Sequence, residues 1–299
     1  MLFPEGQVKL PAHSTGGFDH GDVHLPSGRV FVAQTANGTV EILDGVQKIH
    51  LASMGNCQEA SGVLCPQKEE IVFAAARGTG KILVINPSLL NVKNEFTIGS
   101  RPNGLAFDSK RKRLLVLDVQ DENARLVETH NGRVIASTKL PGRPRWCSYD
   151  RKTDAFIINI KEPSQVVFLK AGILEQFRIA EISIAGPHGL DIDSEKRIAF
   201  VACDGGSVVT LDLDSNREIS EISIAGEPDV IWFNVQRDLL YCAVGKQGVI
   251  QVIDTRTSKI IQELKTEEGA HTFAFDNFRQ RLYAFLPRSC LASIYKETS

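Results

Sequence analysis

Short apolar runs separated by clusters of Gly, Asn, Asp, Ser and Lys recur along the whole chain, as in RVFVAQ, TVEILD, KILVIN and RLLVLD. The runs are rich in Val, Ile and Leu and bounded by turn residues, which is the pattern of short β-strands. No segment sustains apolar positions at a helical spacing. An all-β protein is expected.

The strands fall into a longer repeat. EISIAG occurs at Glu181–Gly186 and again at Glu221–Gly226. Around it runs a unit of a polar turn, a strand ending near Asp, a short charged turn and a second strand. RPNGLAFDSKRKRLLVLD shows this unit best, and GPHGLDIDSEKRIAFVA, EPDVIWFNVQRDLLYCAV and GAHTFAFDNFRQRLYAFL repeat it. Second strands are predicted to begin at Val30, Ile71, Leu114, Ala155, Ile198, Leu239 and Leu282, at intervals of 41, 43, 41, 43, 41 and 43 residues. A third strand and usually a fourth follow in each unit. Four short strands in such a unit make a propeller blade, and seven blades make a ring. The 299 residues are therefore expected to form one seven-bladed β-propeller domain, 1–299, rather than the two domains that length suggests. The seventh unit lacks a fourth strand, and Gln7–Leu10 precedes the first unit where a fourth strand would lie. That segment is predicted to join the last blade, closing the ring and removing an exposed sheet edge.

Pro102–Asp108 with Arg113–Leu117, Arg281–Ala284 and Val252–Asp254 resemble the repeat of YVTN-type propellers, roughly P-x-G-L-A-F-D…R-L-Y-V-A-N…V-I-D. The resemblance covers nearly the whole chain and extends to the YVTN/NHL-like group that includes lactonases and virginiamycin B lyase. It implies the fold. Because such propellers include both enzymes and binding scaffolds, it implies no single activity.

One polar residue precedes the innermost strand of each unit: His20, Ser61, Asn103, Arg145, His188, Asp229 and His271. Gly follows four of them, at Gly21, Gly62, Gly104 and Gly189. The first strand of a blade lies nearest the axis, so these side chains are expected to ring one mouth of the central channel. In a closed ring, blades five, six, seven and one supply His188, Asp229, His271 and His20 in succession. Imidazoles and a carboxylate converging in this way suit a divalent transition ion such as Zn, Mn, Fe, Ni or Cu. The other reading is a solvated loop edge whose polar side chains satisfy backbone groups. Asp22 and His24, in FDHGDVH, would reach the channel deeper down as catalytic or supporting groups, or else pack between blades. On the opposite arc Arg101, Asn103, Arg143 and Arg145, with Ser61, would hold a substrate carboxylate or phosphate, Arg145 also assisting catalysis. Otherwise these arginines are surface charge paired with Glu59 or Glu227. Trp146 reads either as inter-blade core or as a substrate platform.

Composition narrows the classes. A formal net charge of −2 gives no bulk attraction to nucleic acid or membrane. No apolar stretch approaches a membrane span, and the first residues lack a secretory pattern. The six cysteines have no C-x-x-C spacing and mostly lie inside apolar runs, as expected of reduced core thiols in a cytoplasmic protein. RGTGK lacks phosphate-loop spacing, and SKRKR occupies a repeat turn rather than a localisation patch. Asp44, Asp212 and Asp254 are expected to cap turns. The functional expectation is a metal-dependent hydrolase or lyase acting on a small polar or anionic molecule at the axial mouth. This resembles the logic of propeller lyases and lactonases. The acidic-and-amide ligand set of gluconolactonases is not matched, so neither that substrate nor Ca²⁺ carries over. The rival is a non-catalytic interaction scaffold.

Overall fold

The computed structural model describes residues 1–13 and 16–298. Its strands form seven four-stranded antiparallel sheets, and no helix occurs among the described residues. No helix is therefore long and apolar enough to cross a membrane. Blade one runs outward from the axis through Phe18–His24, Arg29–Gln34, Thr39–Asp44 and Ile49–Met54, and blades two to six repeat this order. Every predicted second-strand start lies within one residue of the observed one.

Burial explains why the middle strands carry no alternation. Val72–Ala76, Ala155–Ile160 and Leu239–Val244 are buried at every residue, because both faces of a blade pack against neighbours. One such interface joins Phe31 and Ile42 of blade one to Val63 and Leu83 of blade two. Outermost strands such as Glu218–Ser223 alternate instead. All six cysteines are free and buried.

Acidic residues set the turns. At the end of an axial strand, Asp108 accepts the N–H groups of Lys110 and Arg111 at 2.9 and 3.1 Å. Asp150, Asp193, Asn234 and Asp276 act alike in their own blades. Asp44, Asp212 and Asp254 do the same after their third strands, as the sequence implied. Each is an Asx-type cap that supplies an acceptor to the turn backbone.

The seventh blade is built from both ends of the chain. Phe273–Asp276, Arg281–Leu286 and Leu291–Glu297 are completed by Leu2–Lys9, paired antiparallel from Leu2↔Glu297 to Lys9↔Leu291. The closing strand is thus longer than Gln7–Leu10. Glu297 fastens this blade to the sixth. Its carboxylate is 2% exposed and receives the Tyr241 hydroxyl, Asn234 Nδ2 at 2.9 Å and Arg237 Nε at 3.3 Å. Replacing Glu297 by Ala takes the acceptor from the buried Tyr241 hydroxyl and Asn234 amide. A loss on the order of 3 kcal/mol is expected in urea unfolding. Breaking the exposed Glu268–Arg288 pair should be near neutral.

Candidate functional site

A register shift interrupts the axial strand of each of the first six blades at the same place, as between Pro102 and Leu105 or between Pro187 and Leu190. Two residues there oppose one on the second strand, which is a β-bulge, a device that re-aims a side chain. The first residues of these pairs are Asp19, Ser61, Asn103, Arg145, His188 and Asp229. His271 holds the same register in blade seven, two residues before the Phe273–Ala284 pair.

The ladder corrects one member of the ring. Phe18 pairs with Gln34 and Gly21 with Val32, so Asp19 is the blade-one counterpart of His188 and Asp229. His20 is the second bulge residue, where blades two, three and five have Gly62, Gly104 and Gly189. A Cβ at any of those glycines would run into the carbonyl of the next blade's ring residue. Only in blades one and four is this second residue aromatic, and there the His20 and Trp146 rings stack with centroids 3.9 Å apart. Both rings line a space of about 420 Å³ that extends along the channel. A separate space of about 720 Å³, reaching Asp19, Arg77 and His271, shares no lining residue with it. Trp146 also packs on the core between blades four and five, so both readings of it hold in part.

Asp229 is the centre of the charged groups. His188 Nε2 lies 3.0 Å from its Oδ1 and His271 Nε2 lies 3.7 Å from its Oδ2. His188 Nδ1 faces Asp204 Oδ1 at 2.8 Å, and Asp204 Oδ2 meets Lys161 Nζ at 2.7 Å. His271 Nδ1 lies 2.8 Å from the Gly269 carbonyl, a contact that only an N–H can make. Asp229 Oδ1, although close to His188, accepts no well-directed hydrogen bond. His20 Nε2 faces Asp19 at 3.4 Å.

These contacts set the charges. Burial disfavours an imidazolium at His188, yet Asp229 and Asp204 outweigh it and push its pKa up to about 9. Burial likewise opposes the Asp229 carboxylate, but His188, His271 and His20 hold it far below the usual carboxylate range. Asp204, despite its burial, is pulled down to about 2 by His188 and Lys161. Burial lowers His20 and keeps its ring neutral.

On the opposite arc Arg101 pairs with Glu59, one of the two partners anticipated. Arg77 bridges Glu59 and Asp19 at 3.5 Å each and donates to Asn103 Oδ1 at 3.2 Å. Arg143 and Arg145 are paired to no carboxylate among the described residues. Burial and the neighbouring Arg145, Arg77 and Arg101 lower the Arg143 pKa, while Arg145 Nε is buried without a partner and its Nη2 lies 3.4 Å from His188 Nδ1.

Three expected residues do not join this cluster. Ser61 is wholly buried, its hydroxyl donating to the Pro102 carbonyl at 3.2 Å. His24 is also buried, with Nδ1 on Ser27 Oγ at 2.8 Å and Nε2 on the Glu69 carbonyl at 3.1 Å. It stands where blades three to seven place the turn-capping Asp or Asn. Asp22 lines the inner space, and its oxygens take the Val23 and Cys65 N–H groups at 2.7 Å each. Asp191 does the same in blade five with Ile192 and Phe233. Burial pushes both carboxyls up to about 6, against these hydrogen bonds. Conversely, sequence reasoning missed Asp19, Arg77, Lys161 and Asp204. The last three directly follow second strands, so carrying the repeat frame one residue further exposes them.

The fold and its mouth define a seven-bladed β-propeller with a histidine–carboxylate cluster on one arc and unpaired arginines on the other. No protein-family model and no curated protein matches the chain.

The raised His188 pKa has a consequence for stability. The folded state favours the imidazolium, so its contribution is complete below the ordinary value of 6.5 and is lost as pH rises through about 9. In chelator, the denaturation midpoint should fall across this window, and His188→Gln should flatten that part of the profile.

Proposed function

We propose that this propeller is a metal-dependent hydrolase or lyase, of the YVTN-type lactonase and lyase group, acting in the cytoplasm on a small polar or anionic molecule at the axial mouth. The observation that carries the reading is the orientation of two imidazoles. His188 and His271 both turn Nε2 to the Asp229 carboxylate while Nδ1 is held by Asp204 or by the Gly269 carbonyl. An acceptor behind each ring fixes the tautomer that offers Nε2 to a metal ion. The undirected Asp229 Oδ1 fits the same donor set.

A transition ion held by His188, Asp229 and His271, with His20 beside them, would supply Lewis acidity or a bound water of lowered pKa. The protein's own groups do the rest. Arg143 and Arg145, lacking carboxylate partners, bind the anionic end of the substrate and orient it. His20, kept neutral by burial, is the group able to accept a proton beside the reacting atoms. The His20–Trp146 stack adds an aromatic face beside the site.

A scaffold without catalysis is the second reading. It is favoured because no group of three or more His, Cys, Asp or Glu among the described residues is arranged to hold a metal ion. As placed, the donors pair with one another.

Elemental analysis and melting separate the two. Protein purified without an affinity tag is expected to carry a transition metal and to melt lower in chelator, since a ligand specific to the native state stabilises it by mass action. His188→Ala and His271→Ala should abolish both the chelator shift and lactone or ester turnover, whereas Arg143→Ala should chiefly raise KM. Metal-free protein whose melting is unchanged by Zn²⁺, Mn²⁺, Ni²⁺ or Fe²⁺ would establish the scaffold.

A further inference from the structure

Along the channel lies a space that meets the mouth chemistry only at its edge, where His20 and Asp229 line it. It holds about 420 Å³ and is bounded by axial strands of all seven blades, a volume suited to a small molecule. Two residues past the bulge, blades one and five carry Asp22 and Asp191. The other five blades place no charge at this level, and one of them supplies Trp232. Blades one and five stand three places apart around the ring, so the two carboxylates occupy facing walls.

Each of these four oxygens accepts one backbone N–H. A carboxylate oxygen keeps a further lone pair beyond one such bond. Neither acid is held by a Lys or Arg. Aromatic rings make much of the remaining wall. Trp232 stacks on Phe275 at 4.3 Å, Phe107 and Tyr149 line the side, and Trp146 closes the end. Tyr149 spends its hydroxyl on Asp154 at 2.8 Å, so its ring is what it contributes. Arg151, exposed, is the only Lys or Arg among the lining residues.

We infer that this inner chamber binds an organic ammonium ion with an apolar or aromatic body, its nitrogen between Asp22 and Asp191 and its hydrocarbon against Trp232. Two enclosed carboxylates without counterions repel an anion. Aromatic walls offer a metal ion no ligands, but their π faces attract an ammonium group. Arg151 suits a ligand whose outer end carries a carboxylate.

The chain contains two tryptophans, and both line the chamber, so intrinsic fluorescence reports its occupancy. Titration of the full chain with 2-phenylethylamine or benzyltrimethylammonium is expected to change the emission saturably, while phenylacetate, a matched anion, leaves it unchanged. Asp191→Asn should weaken amine binding by about tenfold or more, as loss of a charge-assisted contact implies. An amide at that place also disturbs the latch to Phe233. Ser148→Lys, which adds a cation at the same level in blade four without touching either acid, should abolish binding in a protein that melts near the wild-type temperature. Phenylacetate binding as well as the amines, amines failing to saturate in the wild type, or amine binding that survives Ser148→Lys would each overturn the inference. Protein freed of metal by chelator should bind the amines as before, because Asp22 and Asp191 belong to no metal ligand set, so this reading and the metal reading fail separately.

Discussion

Where one axial strand bulges, the carbonyl of the next blade's ring residue presses against it. Gly62, Gly104 and Gly189 sit at these contacts because a side chain would collide with the carbonyls of Asn103, Arg145 and Asp229. In blade six, Val230 instead sends its N–H toward the His271 carbonyl at 3.4 Å. This close approach brings seven strands around one narrow axis. It also leaves room for large second-position side chains in only two blades, and those two meet as the His20–Trp146 stack.

The mouth is a balance of desolvation against mutual charge. Asp229 is ionised only because imidazoles surround it, and His188 is charged only because two carboxylates flank it. Removing one member of such a set leaves the others buried and uncompensated, which costs more than the pairing contributes. The same competition governs metal entry. An ion at Asp229 would have to displace the His188 proton, so affinity and pH are linked at this site. Arg145 opposes the His188 charge, but neither it nor Arg143 is paired to a carboxylate among the described residues, which is why the anion-binding capacity of the mouth falls on their side.

Much of the architecture was legible in the chain because a propeller writes its period directly into the spacing of apolar runs. The seven second strands, the capping Asp44, Asp212 and Asp254, and the Arg101–Glu59 pair all lie within that one-dimensional pattern. The ring slipped by one residue in blade one because Gly21 after His20 imitated the Gly that follows Ser61, Asn103 and His188. Only the ladder reveals that Gly21 sits one step further along. His24 misled for a different reason: a histidine replaces the turn-capping Asp of other blades, with Ser27 and Glu69 meeting its ring. Asp204 and Lys161 hold equivalent positions just past the second strands of neighbouring blades; the spacing marks the position, but which partners their side chains meet is set only in the fold.

The composite seventh blade constrains how the molecule is made. Leu2 cannot meet Glu297 until the residues between them have left the ribosome. While the seven blades are being made the Leu2–Lys9 strand has no partner, and the growing arc exposes an unpaired blade face at each end. Contacts this distant in sequence are slow to form. The nascent arc is thus the state most open to aggregation and to chaperone capture, and the arrival of the final strand ends that exposure.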